Sequence, residues 1–391
     1  MLRSLDSGIS GLRAHQTMLD VTANNIANVN TTGFKAGSTQ FEDTLSQMLR
    51  PAGGSSTVVG STNPAQVGLG VNVAGIATNF TQGSTDSTGK ATDMMISGDG
   101  FFTVKSGGNT SYTRAGSFAF DANGQLAAPD GALVQGWTAT NGVVPAGNAA
   151  LSTITLPANS VAPAVATTKA TLSGNLPSDA AVGATFTQTE GVYDAAGASR
   201  NLNLTFTKTA TGWNVAGADG TGATGTATLT YAGGALTSGG TITVGGVTVD
   251  MSSTTGYAGL QTATISGQDG RASGTLQSYS LSSDGKLVGS YSNGSTQTLA
   301  QIALANFSNP GGLAKAGSSE YTPTIASGTP SYGIAGTNGL GSLVGGALEM
   351  SNVDLTQEFS NLIIAQRGFE ANARIITTSD QILQALNQMQ H

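Results

Sequence analysis

The first thirty residues carry a regular repeat of apolar and neutral positions. The distance between them alternates between four and three residues, which is the spacing of a coiled-coil seam. No proline interrupts residues 2–29. We predict a helix of about 42 Å, at a rise of about 1.5 Å per residue, that ends near residues 28–30. The repeating positions are Leu5, Ile9, Leu12, Gln16, Leu19, Ala23 and Ile26.

The C-terminal end of the chain has the same spacing. Ser351 stands three residues before Asp354, a capping-box pattern that can open a helix. Asp380 interrupts the repeat, and Gly368 weakens the helix by about 1 kcal/mol relative to Ala. The predicted helix is about 55 Å long. Its repeating positions are Leu355, Phe359, Leu362, Gln366, Phe369, Ala373, Ile376 and Leu383.

Two interpretations of these ends are open. They could be long surface helices that pack on a globular core, or helices that pair with each other and with further copies of the chain. We favour the second, because each predicted helix is much longer than the usual length of about 11–12 residues. The residues predicted to form the assembly seams are Leu5, Ile9, Leu12, Leu19, Ile26, Leu355, Phe359, Leu362, Phe369, Ile376 and Leu383.

Strand and turn signals dominate the chain between these ends. The segments 101–104 and 117–120 are typical of strands, and dipeptides such as Asn123-Gly124 and Asp284-Gly285 favour hairpin turns. Residues 146–264 contain three basic residues and long runs rich in Thr, Gly, Ala and Val. The expected fold is therefore mainly β with long terminal α-helices.

Shifts in composition suggest four regions. Residues 1–30 and 353–391 form a helical, coiled-coil-like polymerisation domain, and residues 31–70 form a connector with a flexible part at 50–66. Residues 71–145 and 265–352 form a discontinuous β domain. Residues 146–264 form an all-β outer domain inserted into it, with core anchors at Phe186, Phe206, Trp213 and Tyr231.

The composition excludes several classes of function. The 391 residues include 9% charged residues, a net charge of −7 and no cysteine. Without a basic patch the chain is not expected to bind nucleic acid, and without an apolar run of about 18 residues it is not expected to insert into a membrane. No cleaved secretory signal is visible, so these rules alone would favour the cytoplasm.

No candidate site carries chemistry. The two histidines, His15 and His391, are interpreted as solvated helix residues. The stretch that starts at Asp121 faintly resembles a calcium loop, but the position that needs a ligand is Ala132, so a hairpin turn is the better interpretation. We therefore predict no enzyme activity, no metal site and no cofactor.

Residues 23–35, which read ANNIANVNTTGFK, form the most distinctive stretch. Asn tolerates turn conformations and Gly33 allows a positive φ, so the helix should stop there and place Phe34 as an anchor. An ordinary Asn-rich helix stop remains the alternative. The residues singled out are Asn24, Asn25, Asn28, Gly33 and Phe34.

This stretch closely resembles the N-terminal motif of the flagellar axial proteins, the rod and hook families. The C-terminal segments 351–355, 366–372 and 382–383 resemble the partner motif. The segments 96–102, 112–118 and 134–137 are similar to the β domain shared by the hook and the distal rod. The inserted region 146–264 favours the hook over the distal rod, and a secreted β-rich adhesin is a remote alternative.

The resemblance implies a structural subunit that polymerises into a short, curved, flexible tube between rod and filament. It implies export through the flagellar type III apparatus to an extracellular location. The implied partners are further copies of the chain, the distal rod, the hook cap and the hook–filament junction proteins.

Overall fold

The computed structural model describes residues 2–54, 61–140, 142–145, 149–156 and 161–389. A long helix lies at each end of a chain that is otherwise mainly β. Helix α1 spans Leu2–Ala27 and helix α2 spans Leu355–Gln388. Both fall where the heptad spacing predicts them, and the expected fold class is confirmed. His391, and residues 55–60 of the connector, lie outside the described residues.

The strands of the first half of the chain are β1 (Gly37–Asp43), β2 (Ser46–Arg50), β3 (Ala65–Gly68), β4 (Val71–Thr78), β5 (Thr85–Ser87), β6 (Met94–Ser97), β7 (Phe101–Ser106), β8 (Asn109–Thr113), β9 (Ala119–Phe120), β10 (Leu126–Ala127), β11 (Leu133–Thr138), β12 (Ser152–Thr153), β13 (Val161–Ala162), β14 (Lys169–Asn175) and β15 (Thr185–Tyr193).

The strands of the second half are β16 (Ser199–Lys208), β17 (Gly212–Asp219), β18 (Thr224–Ala232), β19 (Ala235–Ser238), β20 (Thr241–Val244), β21 (Val247–Thr255), β22 (Thr264–Gln268), β23 (Gly274–Leu281), β24 (Lys286–Tyr291), β25 (Thr296–Asn306), β26 (Ala314–Gly317), β27 (Glu320–Thr322), β28 (Ser331–Ile334), β29 (Ser342–Gly345) and β30 (Ala347–Glu349). A short 3₁₀ helix occupies Pro310–Gly312.

The chain divides into two compact units. The terminal unit comprises the described residues of 1–156, 280–288 and 298–391, and the central unit those of 157–279 and 289–297. The division thus falls near residues 157 and 279, whereas the composition shifts suggested 146 and 264 for the outer domain.

In the terminal unit, α1 and α2 pack against each other and run antiparallel. A Cβ built on Gly8 would contact Ile376, and one built on Gly368 would contact His15, so rising numbers on α1 meet falling numbers on α2. Helix α1 also packs on β1 and β4, which pair with each other.

The predicted connector at 31–70 contains strands. Residues 37–43 form β1, and β2 pairs with β3 in an antiparallel arrangement. The glycine and proline residues at 51–54 and 64 mark the ends of these strands. In its described residues the segment therefore contains two strand pairings, with an isolated bridge between Gly53 and Thr62, and the flexible part at 50–66 stays a prediction.

The remaining strands of the terminal unit enclose an aromatic core. Strand β7 pairs with β8, β11 and β25. The buried cluster comprises Phe101, Tyr112, Ala305, Phe307, Leu313 and Tyr321. The chain around Asp121 is a hairpin turn as predicted, because its carboxylate accepts the backbone N–H groups of Asn123 and Gln125 between β9 and β10.

The core of the central unit is built on one nine-stranded sheet. Its strands follow the order β15-β16-β17-β18-β19-β21-β14-β22, and β20 pairs with β21. Strands β14 and β21 run parallel. Phe206 and Trp213 are buried in its core, and Phe186 and Tyr231 pack against that core, which confirms all four predicted anchors.

Candidate assembly surface and the base of the terminal helices

Small residues form the contact between α1 and α2. Gly8, Gly11 and Ala14 are buried on α1, and Ala365 and Ser379 are buried on α2. A Cβ on Gly11 would lie 2.7 Å from the Asn372 side-chain oxygen, so the helix backbones approach closely. Further contacts along the two helices join Gly8 to Ile376, His15 to Gly368 and Asn25 to Glu358.

His15 belongs to this contact, which corrects its interpretation as a solvated helix residue. Its ring lies against Gly368 and 5.9 Å from the ring of Phe41. The Nδ1 atom is buried and has no hydrogen-bond partner among the described residues. His15 is not one of the predicted seam positions, but the helices meet along residues that include it.

Of the large apolar residues predicted for the seams, Ile376 packs against Gly8 within this contact. The half-buried ones are Leu5, Ile9, Leu12, Leu19, Ile26, Leu362 and Ile376. The exposed ones are Leu355, Phe359, Phe369 and Leu383, and Phe359 is 52% exposed. Each helix therefore carries a row of large apolar residues and a row of small residues. The internal contact uses mainly the small residues.

Further large apolar side chains are exposed on the outer face of α2. They are Ile363, Ile364, Ile382, Leu386 and Met389. Ile375 is also exposed in part, but its side chain lies against Gly8 of α1. Scattered apolar residues are normal on a protein surface, and contiguous rows of them are typical of interaction sites. Because α2 already makes its internal contact, this row is available to another molecule.

The start of α2 is fixed by Asp354. Its side chain accepts the backbone N–H groups of Thr356 and Gln357, and its backbone is extended. Ser351 is therefore not the cap that the capping-box pattern suggested. Its hydroxyl accepts the N–H of Val353 instead. A carboxylate directly before the first turn satisfies free N–H groups and opposes the positive end of the helix dipole.

Asn25 connects three elements at the end of α1. Its Nδ2 donates to the carbonyl of Gly37 at 2.8 Å and to Oε1 of Glu358 at 3.1 Å, and its Oδ1 accepts the N–H of Gly37 at 3.0 Å. The side chain is buried, so these bonds are shielded from water. Asn25 thus fastens α1 to β1 and to the first turn of α2.

The other asparagines of the motif have lesser roles. The Asn28 Nδ2 donates to the carbonyl of Asn24, and its Oδ1 accepts the hydroxyl of Thr31. These bonds close the turn that follows α1. The Asn24 side chain is exposed.

Gly33 has the positive φ that the motif predicts. Its φ is 66°, and a Cβ at this position would lie 2.4 Å from the backbone nitrogen of Ala115. Its N–H donates to the carbonyl of Glu349 at 2.7 Å. Glycine is needed here both for the backbone conformation and for the close approach.

Phe34 is half-buried and pairs with a cation. The Lys315 Nζ lies 5.1 Å from the centre of its ring. Both residues line a cleft of about 560 Å³ beside the turn that follows α1. Burial lowers the pKa of Lys315, and burial, with the neighbouring Asp130, raises the pKa of Glu320 in the same cleft.

Two groups at the base of the helices were not predicted from the sequence. Asn352 accepts the N–H of Ala36 and donates to the carbonyls of Asn79 and Thr81. Lys35 forms a buried ion pair with Glu349, 2.6 Å between Nζ and Oε1. Lys35 lies within the motif, but only the pairing across more than 300 residues gives it a role, and spacing does not reveal such a pair.

Comparison with known proteins identifies the family. Three family models match: a flagella basal body rod protein model at residues 5–35, a flagellar hook protein FlgE/F/G D1 domain model at 95–169, and a flagellar basal body rod FlgEFG protein C-terminal model at 344–389. The chain is 39% identical to the flagellar hook protein FlgE of Borreliella burgdorferi, over 99% of both chains. The chain belongs to the flagellar hook protein family.

Two further relatives bear on its place within the flagellum. The flagellar hook protein FlgE of Salmonella typhimurium is 38% identical over 98% of this chain and 99% of its own. The flagellar basal-body rod protein FlgG of Bacillus subtilis is 33% identical over 99% of this chain and 98% of its own. No helix among the described residues is long and apolar enough to cross a membrane.

Proposed function

We propose that this hook subunit polymerises through the outward faces of α1 and α2. The observation that carries the proposal is that two different sets of residues form the internal contact and the exposed surface of the helices. Small residues complete the internal contact, and large apolar residues such as Phe359 and Ile364 stay exposed. Burying that surface against further copies removes it from water.

A repeating contact between unlike surfaces supports a tube. Such a contact does not close on itself after two copies, and it generates a helical polymer. In this arrangement the terminal helices form the inner wall, and the β-rich parts lie outside. The chain carries little charge, so like surfaces can pack closely without strong repulsion.

The partners beyond the chain itself follow from the family. We propose contacts with the distal rod, the hook cap and the hook–filament junction proteins, and export through the flagellar type III apparatus. We expect a purely structural role without catalytic activity. The distal rod is the weaker alternative, because the hook proteins of Borreliella burgdorferi and Salmonella typhimurium are 39% and 38% identical to the chain, whereas the rod protein of Bacillus subtilis is 33% identical.

Substitution of one exposed residue tests the assembly surface. Phe359→Asp places a charge on a face that assembly would desolvate, at a cost of several kcal/mol. We expect the variant to fold, by circular dichroism, and to stay in the supernatant when polymer is sedimented.

Ser360→Asp is the matched control, because it adds the same charge at the next exposed position. We expect it to polymerise. Normal polymer from Phe359→Asp would contradict the proposal.

A further inference from the structure

Three charged side chains meet in the interior of the terminal unit. The Lys35 Nζ lies 2.6 Å from Oε1 of Glu349, and both side chains are fully buried. The guanidinium of Arg114 lies 3.6 Å from Oε2 of the same carboxylate and is 3% exposed. We call Lys35, Glu349 and Arg114 the ionic cluster.

Backbone groups bind part of the ionic cluster, whereas Oε2 of Glu349 and Nε of Arg114 have no hydrogen-bond partner among the described residues. The Lys35 Nζ also donates to the carbonyl of Thr81 at 2.7 Å, and Oε1 of Glu349 accepts the N–H of Gly83 at 3.0 Å. Arg114 donates to the carbonyl of Gly98 at 2.8 Å. Each charged group is therefore held in one direction by a fixed part of the chain.

The ionic cluster lies where both terminal helices join the strands. Lys35 follows the turn after α1, and Glu349 is the last residue of β30, shortly before α2. Thr81 and Gly83 lie between β4 and β5, and Arg114 follows β8. One carboxylate thus connects the bases of both helices to the β strands.

Stability alone does not explain the ionic cluster. Removing charges from water is costly, and a buried ion pair is often no more stabilising than apolar residues of similar size. Burial lowers the pKa of Lys35 and of Arg114, which shows the desolvation cost, and Glu349 opposes it. Hydrogen bonds fix the angles between the groups that they join, whereas apolar contacts are not directional. Apolar residues therefore cannot fix the orientation of these chain segments.

We propose that the ionic cluster is a positioning device that sets the direction in which α1 and α2 leave the strands, and thereby sets the geometry of the tube. This rests on assembly through the terminal helices. A subunit whose helices leave at a different angle presents the same apolar residues in a different register, so the polymer changes shape.

The test removes the hydrogen bonds of the ionic cluster and keeps side chains of similar size. The double variant Lys35→Met with Glu349→Leu substitutes an apolar pair of similar size, and Lys286→Met is the control, because it breaks an exposed ion pair with Asp284. Thermal unfolding and electron microscopy of the tubes are measured for each. We expect the double variant to fold but to unfold at a lower temperature than the wild type, because Arg114 stays buried without its carboxylate. We expect its tubes to have altered curvature or helical repeat. The control should form wild-type tubes.

A second measurement covers the case in which the double variant forms no tube. The chain has no cysteine, so cysteines introduced for spin labels at the exposed positions 105 and 381 are unique. In the soluble double variant we expect the distance between the labels to shift or to broaden relative to the wild type. An unchanged distance overturns the proposal.

A third variant covers the case in which the double variant does not fold. Glu349→Gln keeps the shape of the side chain and removes its charge, and its tubes are examined in the same way. Wild-type curvature and repeat from a folded variant, single or double, overturn the proposal. If Phe359→Asp also polymerises normally, the proposed assembly surface fails as well. If only Phe359→Asp is blocked, the positioning role alone fails.

Discussion

The ring of His15 lies directly on the backbone of Gly368, where the two terminal helices approach each other. A Cβ built on Gly368 would lie 2.5 Å from both Cε1 and Nε2 of the ring and 2.8 Å from its Nδ1. Real Cβ atoms do not approach other atoms so closely, so the ring occupies the space that any side chain at 368 would need. The glycine that weakens α2 as an isolated helix therefore permits the pairing of α1 with α2.

The variant Gly368→Ala separates these two effects. Alanine gains about 1 kcal/mol in helix propensity, but overpacking typically costs about 1–3 kcal/mol and here falls on a rigid ring. We expect a net loss of stability and weaker assembly. Chemical unfolding and sedimentation of polymer measure both.

Rescue by a second substitution identifies the cause. Adding His15→Ala to Gly368→Ala removes the ring that the new methyl group meets. We expect the double variant to recover stability and to polymerise better than Gly368→Ala alone. If the double variant is no better, the contact between 15 and 368 is not what excludes a side chain.

The existence of the two helices could be predicted from sequence, but their contact could not. Leu5, Ile9 and Leu12 form a visible apolar pattern, which is enough to place a helix. The internal contact uses Gly8, Gly11 and Ala14 with similar spacing, and small residues give no hydrophobic signal. Whether large or small residues face the partner helix depends on how closely two backbones can approach, which is a property of the tertiary structure.

The stability cost of a side chain at Gly33 can be measured against Gly89, which is a closely matched control. Gly33 and Gly89 have nearly equal positive φ values, 66° and 68°. A Cβ on Gly33 would lie 2.4 Å from the backbone of Ala115, whereas one on Gly89 would have no atom within 4 Å. Gly89→Ala therefore reports the conformational cost alone, about 1 kcal/mol.

We expect Gly33→Ala to lower stability clearly more than Gly89→Ala, because the backbone at Ala115 must also move. Urea unfolding of the two variants gives the difference. Hydrogen exchange should show loss of protection at the end of α1 in Gly33→Ala and not in Gly89→Ala. Equal losses of stability would show that the close approach to Ala115 has no energetic consequence.

The motif at residues 23–35 predicted the backbone turn after α1 but not the burial of its charged residue, Lys35. Its glycine and asparagines predicted a turn after α1, and Gly33 and Asn28 form it. The importance of Lys35 depends on Glu349 and Arg114, which are distant in sequence and become neighbours only through the fold. A lysine beside a glycine in a turn is typical of a solvated surface, so nothing local indicates its full burial.

The central unit should fold without the rest of the chain. Its core draws on residues between 170 and 263, including Leu204, Phe206 and Val249, all fully buried. We expect a fragment of residues 161–279 to unfold cooperatively on heating. The fragment keeps Trp213, which is 3% exposed, and lacks Trp137, the other tryptophan of the chain.

The single tryptophan makes the measurement direct. A folded fragment should show blue-shifted fluorescence that moves to longer wavelength at the unfolding midpoint. Leu204→Ala should lower stability by about 2–5 kcal/mol because it leaves a cavity in the core. Emission typical of exposed tryptophan in the unheated fragment would contradict an autonomous central unit.

Acid should destabilise this unit through Asp269. Its carboxylate accepts the Thr168 hydroxyl and the backbone N–H groups of Thr168 and Lys169. These bonds, led by the Thr168 hydroxyl, lower the pKa of Asp269 from 3.8 to about 2. The unfolded chain then binds the proton more tightly than the folded one. The stabilisation is therefore fully present above about pH 4 and is lost as the pH falls towards about 2.

Two variants test the origin of this pH dependence. Asp269→Asn removes the charge and should lower stability at neutral pH by about 1 kcal/mol, a value reduced from the full pKa shift because the group is exposed to solvent. Thr168→Val keeps the charge and removes the hydroxyl donor, so the pKa of Asp269 should return part of the way to 3.8. Unfolding followed by Trp213 fluorescence between about pH 2 and pH 7 should show a flatter acid limb for both variants, flattest for Asp269→Asn. An acid limb as steep as that of the unsubstituted fragment would assign the acid sensitivity of the unit to carboxylates other than Asp269.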